Sequence, residues 1–528
     1  MSNIVYDKIF SYVDQTKREK IALINTQGHS ITYDVLVKTS VKISGYILAH
    51  LKNLDDPSIL ISTGSKVIDA VLALSCMLSG IRFTIIDRQK DDIHKAYVCR
   101  HSDATILIVG DEEDCTPWVS SNVIHIWRAG YSENKIKLIG PSLKANNDPL
   151  FPPIIHGETP QAIFYTSGST GNPKGVVVSL SQLLDGADTV TKYLNMNSSD
   201  TVLSYLPISF DYGFNQIMNT LTVGATVILE DEFKPLKIRS VCSQYEPTIL
   251  PGSPSIFLKL GKLIKRRPDD IGDFASIRTV TNTGGRIPEV GHSFIQAIKS
   301  RFGVKPYLMY GLTECFRSSF LPPELYSEKH NAIGRAVPGV SLHLQDESGN
   351  IITTPNTIGE ILHSGRLISY GYYKDPSATN LLFTHLTHLS FKNISNPPQA
   401  VKSGDLGWFD NDGIFFHAGR KDNLIKVREQ RTSLDMIENS IAKTGLFDVS
   451  AVIGDEDRDG LPIIHIVGTP SSLVQKETLE IRRQLLEALP NYLASFKLTL
   501  LSELPTNTNG KICKKTLVTK LKTTKGQQ

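Results

Sequence analysis

Apolar and polar positions alternate with two periods along the first half of the chain. Short β-prone runs at Ser58–Ser62 and at residues 82–87, 104–109 and 122–127 are each bounded by turn residues. Between the first two, Val67, Ala70, Val71, Leu74 and Met77 recur at helical spacing. Strands alternating with helices predict α/β layers around a largely parallel sheet. The alternation resumes after residue 200, with strands near 226–230 and 248–250 and helices near 255–264 and 290–301. Between residues 330 and 420 the texture changes to short strands and Gly-rich turns, which predicts a small barrel. The last hundred residues carry their own pattern. A strand at Leu424–Val427 precedes a capping box over residues 432–435, which opens a helix with Leu434, Ile437 and Ile441 inward. Strands near 449–453 and 463–467, a helix near 476–489 and a strand at Phe496–Leu500 follow. The order β-α-β-β-α-β predicts a split βαβ sandwich, and the polar stretch 419–423 before it reads as a hinge.

A length of 528 residues suggests roughly three to four packing units. Apolar residues make up 40% and charged residues 21%, which excludes wholesale disorder. The formal net charge of +3 argues against a general nucleic-acid binder. Lys511, Lys514, Lys515, Lys520, Lys522 and Lys525 cluster at the end of the chain and read as a solvated tail. The six cysteines are scattered without metal-like spacing, which predicts reduced thiols in the cytoplasm. The most apolar run, 71–78, falls well short of the roughly 20 residues that span a bilayer.

The sharpest chemical signal follows the strand-like residues 161–165: Thr166, Ser167, Gly168, Ser169, Thr170, Gly171, Asn172, Pro173, Lys174 and Gly175. Small and hydroxylated residues let a backbone wrap an anion, offering N–H groups, hydroxyls and one ammonium. That is phosphate chemistry, although the spacing is not that of a Walker A loop, since Pro173 precedes Lys174 and Gly175 follows it. Nucleophilic triads built on histidine and zinc-binding spacings are not found in the sequence.

This loop resembles the phosphate loop of the adenylate-forming superfamily, which includes acyl-CoA synthetases, peptide-synthetase adenylation domains and luciferases. Further segments are similar to that family's motifs and stand in its order: Ile31-Thr32-Tyr33, residues 80–87, Phe210-Asp211-Tyr212-Gly213, Tyr310-Gly311-Leu312-Thr313-Glu314, Gly359-Glu360 through Gly371-Tyr372-Tyr373, Ser403-Gly404-Asp405, Gly419-Arg420-Lys421-Asp422, Leu489-Pro490 with Tyr492, and Asn509-Gly510-Lys511. The resemblance implies a large N-terminal domain, residues 1–419, of two α/β subdomains plus a small β-barrel. A small mobile α+β C-terminal domain, residues 420–528, would carry the catalytic lysine.

The same resemblance implies the roles. Lys511 would bridge the carboxylate and the α-phosphate, where two anions must be brought together. Glu314 would hold Mg²⁺ against the ATP phosphates, Thr313 would offer its hydroxyl, and Tyr310 a face for adenine. Asp405 would accept from the ribose hydroxyls, with Arg420 near ribose or phosphate. Asp422 would be the hinge about which the C-terminal domain turns between half-reactions. The carboxylate pocket would be lined by Asp211, Tyr212, Asn215, Thr281, Thr283 and Met309. Asp211 leans toward an amino-acid substrate, a buried carboxylate needing a cation, while satisfaction by hydroxyls or backbone N–H groups keeps a fatty or aryl acid open. Arg317, just past Glu314, could meet a second carboxylate, but the preferred expectation is that it faces solvent.

Two departures stand out. Glu429 occupies the place of a family glycine beside the thiol tunnel, and Ala494-Ser495 replaces a family proline. The expected reaction is ATP-dependent activation of a carboxylic acid as acyl-AMP, then thioester formation on coenzyme A or on 4′-phosphopantetheine. The chain ends soon after Lys511, so a free-standing carrier protein would act in trans. A catalytically silent adenylate-binding scaffold is the alternative of another class.

Overall fold

A computed structural model describes the chain except residues 1–2, 11–17, 52–53, 133–134, 141–152, 167–171, 232–233, 386–398, 428–429, 457–461, 472–476, 491–492, 494, 507–510 and 526–528. Two large sheets dominate. In the seven-stranded sheet, Ser58–Ser62 pairs in parallel with both Arg82–Ile85 and Ile106–Gly110, and Arg82–Ile85 pairs in parallel with Pro160–Thr166. The nine-stranded sheet has a parallel centre running through Thr226–Leu229, Thr201–Ser204, Ile249–Gly252, Thr279–Asn282 and Lys305–Tyr310. The largest core lies between these sheets, drawing Ile59, Ile61 and Phe164 from one and Leu23, Val202 and Val227 from the other.

Two helices fill that core. In Lys66–Ser79 every residue from Val67 onward is buried, and in Asp211–Thr222 every residue from Asp211 to Leu221 is buried. The first is apolar on nearly all sides, as befits an interior helix, whereas the second also buries Asp211, Asn215, Gln216 and Asn219. Near-continuous apolar strands such as Ile106–Gly110, buried at all five positions, likewise fit a sheet covered on both faces. The third sheet has six antiparallel strands, among them Val340–Gln345, Gly359–Gly365 and Gln399–Phe409, and forms the barrel-like unit expected between 330 and 420.

The C-terminal residues have a core of their own. Leu434, Ile437 and Ile441 pack with Val452, Ile464, Ile481, Leu485 and Phe496. The sheet there has three strands in the order Phe447–Glu456, Pro462–Pro470, Phe496–Leu500. The four-stranded expectation fails because Leu424–Val427 turns back on Gln430–Ser433 as a separate two-stranded ribbon. The helix cap also differs. Ser433 accepts from the Met436 N–H at 3.4 Å, which frees the Asp435 carboxylate to accept the Arg420 N–H at 2.7 Å. The lysine-rich tail is likewise not simply solvated. It forms the helix Lys514–Lys525, with Leu517 buried against Ala451 and Val467 and Lys514 paired to Glu438 at 2.8 Å.

Candidate active site

The phosphate-loop strand Pro160–Thr166 runs antiparallel to Lys174–Ser179, with Thr166 opposite Lys174. Ser167, Gly168, Ser169, Thr170 and Gly171 lie outside the described residues. Residues 370–373 lie along the second strand. The Tyr370 N–H donates to the Val177 carbonyl, the Val177 N–H to the Gly371 carbonyl, and the Tyr373 N–H to the Gly175 carbonyl at 2.7 Å. This pairing sets the Tyr372 ring 4.9 Å beneath the Lys174 ammonium and lets its hydroxyl donate to Glu314 Oε1 at 2.6 Å. Lys174, Tyr372 and Glu314 therefore form one cluster. Tyr372 stood inside a recognised motif with no role attached to it.

The turn after Lys305–Tyr310 positions the next group. Gly311 is required there, because a Cβ would meet the Phe316 carbonyl at 2.4 Å. Phe316 takes a left-handed φ of 55°, uncommon for an aromatic residue. Thr313 is buried in this turn. The Tyr310 hydroxyl donates to Asp405 Oδ2 at 2.6 Å, and Arg420 Nη1 donates to Oδ1 at 3.0 Å. His417 Nε2, unnoticed in the sequence, stands 3.6 Å from the same Oδ1. Burial alone would raise the pKa of Asp405. The histidine, the arginine and the tyrosine hydroxyl outweigh it and hold the carboxyl below the usual range. Tyr310, Asp405 and Arg420 are thus one hydrogen-bonded unit.

The pocket residues gather around the N-terminus of Asp211–Thr222. Gly213 allows this helix start to approach closely, since a Cβ would lie 2.1 Å from the Pro207 carbonyl oxygen. Tyr212 and Thr281 share a hydrogen bond at 2.7 Å, and Thr283 and Met309 are also buried. Asp211 is 5% exposed, and its Oδ1 has no hydrogen-bond partner. Desolvation raises its pKa, against the pull of Arg317 and Lys511. One turn on, the amide oxygen and nitrogen of buried Asn215 are both without partners.

Arg317 overturns the expectation of a solvent-facing side chain: it is 2% exposed. Its guanidinium lies 4.9 Å from the Tyr212 ring and 5.0 Å from the Phe316 ring. The tight turn holding Phe316 in the left-handed region directs the next side chain inward.

Lys511 is exposed as a residue, yet its ammonium shares a field with Asp211, Asp405 and Glu314. Desolvation lowers its pKa and Arg420 adds to that, while the three carboxylates oppose it. Its Cε passes over Gly284, where a Cβ would come within 3.1 Å. Asp422 lies in the short 3₁₀ turn Lys421–Asn423, at the exit from the barrel-like sheet. Its side chain, like Glu429, Tyr492, Ala494, Asn509 and Gly510, lies outside the described residues. Among the described residues no cluster of three His, Cys, Asp or Glu side chains could hold a metal ion, and no helix is long and apolar enough to cross a membrane.

Comparison with known proteins places the chain in a family. The family described as AMP-binding enzyme matches residues 10–373. The nonribosomal peptide synthetase sirP of Leptosphaeria maculans is 27% identical over 521 residues, covering 96% of this chain but 21% of that protein. The 2-succinylbenzoate–CoA ligase of Bacillus licheniformis is 24% identical over 506 residues, covering 94% of this chain and 95% of that one. ATP-bound MatB from Rhodopseudomonas palustris superposes with a TM-score of 0.80 at 21% identity, over 98% of both chains. The chain belongs to the AMP-binding enzyme family, a class of AMP-forming ligases.

Proposed function

We propose that this protein activates an amino acid as its aminoacyl-adenylate and then transfers the acyl group to a thiol. The observation that carries the amino-acid reading is Asp211, a buried carboxylate with an unpartnered oxygen at the pocket wall. Desolvating that charge is costly unless a cation arrives with the substrate, and an α-ammonium supplies one.

In the first half-reaction a carboxylate oxygen attacks the α-phosphorus of ATP. The bond from α-phosphorus to the bridging oxygen breaks, and pyrophosphate leaves. Lys511 is suited to hold the two approaching anions together, its ammonium lying within the field of Asp211, Asp405 and Glu314. Thr166, Lys174 and Thr313, with Ser167, Gly168, Ser169, Thr170 and Gly171, would hold the phosphates. Tyr310, Asp405 and Arg420 would hold the nucleoside. Their present mutual bonds keep both Asp405 oxygens aligned, and ribose hydroxyls would compete for them. Tyr212, Thr281, Thr283 and Met309 would shape the pocket beside Asp211 and Asn215.

A Mg²⁺ ion fits the donor set. Glu314 gives one oxygen to Tyr372 and retains another, and a hard cation takes its remaining ligands from phosphate and water. When bound, the ion would neutralise phosphate charge.

In the second half-reaction a thiolate attacks the acyl carbon and AMP leaves. Phosphopantetheine on a carrier protein is the acceptor favoured by the peptide-synthetase relatives. Coenzyme A is the second reading, favoured by the succinylbenzoate ligase, which is similar along almost its whole length.

Pyrophosphate exchange into ATP, run without thiol across amino, fatty and aryl acids, tests this reading. Exchange with an amino acid, lost in Asp211→Ala, is expected. Exchange confined to simple fatty or aryl acids would remove the ammonium role, and silence across the panel with ATP still bound would favour an inactive scaffold.

A further inference from the structure

Three buried polar side chains converge in the pocket with atoms left unsatisfied: Asp211 Oδ1, both amide atoms of Asn215, and Arg317 Nε and Nη2. Interior polar atoms without partners are rare in folded proteins, and a buried guanidinium is among the most costly. Asp211 and Arg317 do not resolve each other's deficit, although they interact electrostatically.

The guanidinium is held in place on its other sides. Nη1 donates to the Phe316 carbonyl at 2.9 Å, and the Tyr212 and Phe316 rings pack within 5.0 Å of its centre. The Tyr193 hydroxyl, which donates to Met309 Sδ at 2.8 Å, also lies in hydrogen-bonding contact with this guanidinium. The two nitrogens left over, Nε and Nη2, form one edge of the fork and present two parallel N–H donors. That edge matches the two oxygens of a carboxylate.

We infer that Arg317 binds a second carboxylate on the substrate, so that the pocket takes an α-amino acid whose side chain ends in a carboxylate. The geometry divides the three charged groups of the substrate among Asp211, Arg317 and Lys511. The α-ammonium meets Asp211, the side-chain carboxylate meets the free edge of Arg317, and Asn215, both donor and acceptor, lies one helical turn from Asp211. The reacting carboxylate remains for Lys511. The inference rests on the aminoacyl-adenylation reading above and narrows it.

The test compares matched substrates in pyrophosphate exchange: acidic amino acids of increasing chain length, each against its side-chain amide. The wild-type protein is expected to favour the acid over its amide by about 10² or more in kcat/KM, as a site built around a polar group rejects an analogue that leaves it unpaired. In Arg317→Met the ratio should fall toward one or invert, with Arg317→Lys in between. Wild-type exchange with neutral amino acids at rates equal to or above the acidic ones overturns the Arg317 inference and leaves adenylation standing. This comparison needs no variant to fold. Absence of exchange with every acid in the panel overturns the adenylation reading, and the inference falls with it.

Discussion

Lys511 must keep a positive charge where desolvation and Arg420 both work against it, and Asp211, Asp405 and Glu314 supply the opposing field. Such an arrangement suits a site that joins two anions. Lys511→Ala is expected to slow adenylation by about 10² to 10³, the usual cost of losing one donor to transition-state charge, with ATP binding retained in a calorimetric titration. Adenylation at the wild-type rate would remove the lysine from the mechanism. Much of the candidate site's residue content was legible in the sequence. Asp211, Glu314, Asp405 and Lys511 each sit in a short recognisable motif. The burial of Arg317 was not legible, because nothing in its local sequence signals it. Its inward course depends on a turn closed by Gly311 and a left-handed Phe316, which only the folded backbone reveals. Tyr372 and His417 were missed for a related reason: Tyr372 meets Glu314 from a distant segment, and His417 meets Asp405 only across two paired strands.

At the scale of elements, the junction between barrel-like sheet and C-terminal residues carries the most consequence. The chain leaves Phe415–Arg420 and enters the 3₁₀ turn Lys421–Asn423. The Asp435 carboxylate steadies that exit by accepting from the Arg420 N–H and from Asn423 Nδ2. We propose that this turn absorbs the backbone change between half-reactions. Proline at position 422 fixes φ and constrains Lys421 as well. Asp422→Pro should therefore slow thioester formation far more than adenylation, read by separate single-turnover assays. Equal slowing of both steps would count against a hinge. Strands such as Ser58–Ser62, Leu424–Val427 and Phe496–Leu500 were readable to the residue, since β-prone runs between turn residues define their own limits. Their pairing was less readable. Leu424–Val427 has the composition of a sheet strand, yet it folds onto its immediate neighbour, a choice that local pattern does not encode.

In the molecule as a whole, two sheets share one core, and the helix Asp211–Thr222 crosses it with its first residue at the proposed substrate pocket. The C-terminal residues bring Lys511 to the same place, supported by Lys421 on Glu360 at 2.9 Å, Lys262 on Asp448 at 3.0 Å and Arg286 on Asn439 at 3.1 Å. These contacts are polar, as inter-domain interfaces commonly are. The central claim is that a substrate carboxylate oxygen attacks the α-phosphorus of ATP. Supplying an acidic amino acid labelled with ¹⁸O in its α-carboxylate, with ATP, Mg²⁺ and a thiol acceptor, tests it directly by mass spectrometry of the nucleotide product. The account predicts AMP carrying one labelled oxygen, because the bond formed in adenylation stays with phosphorus when the thiol displaces AMP. Unlabelled AMP, or ADP with label in inorganic phosphate, would contradict it.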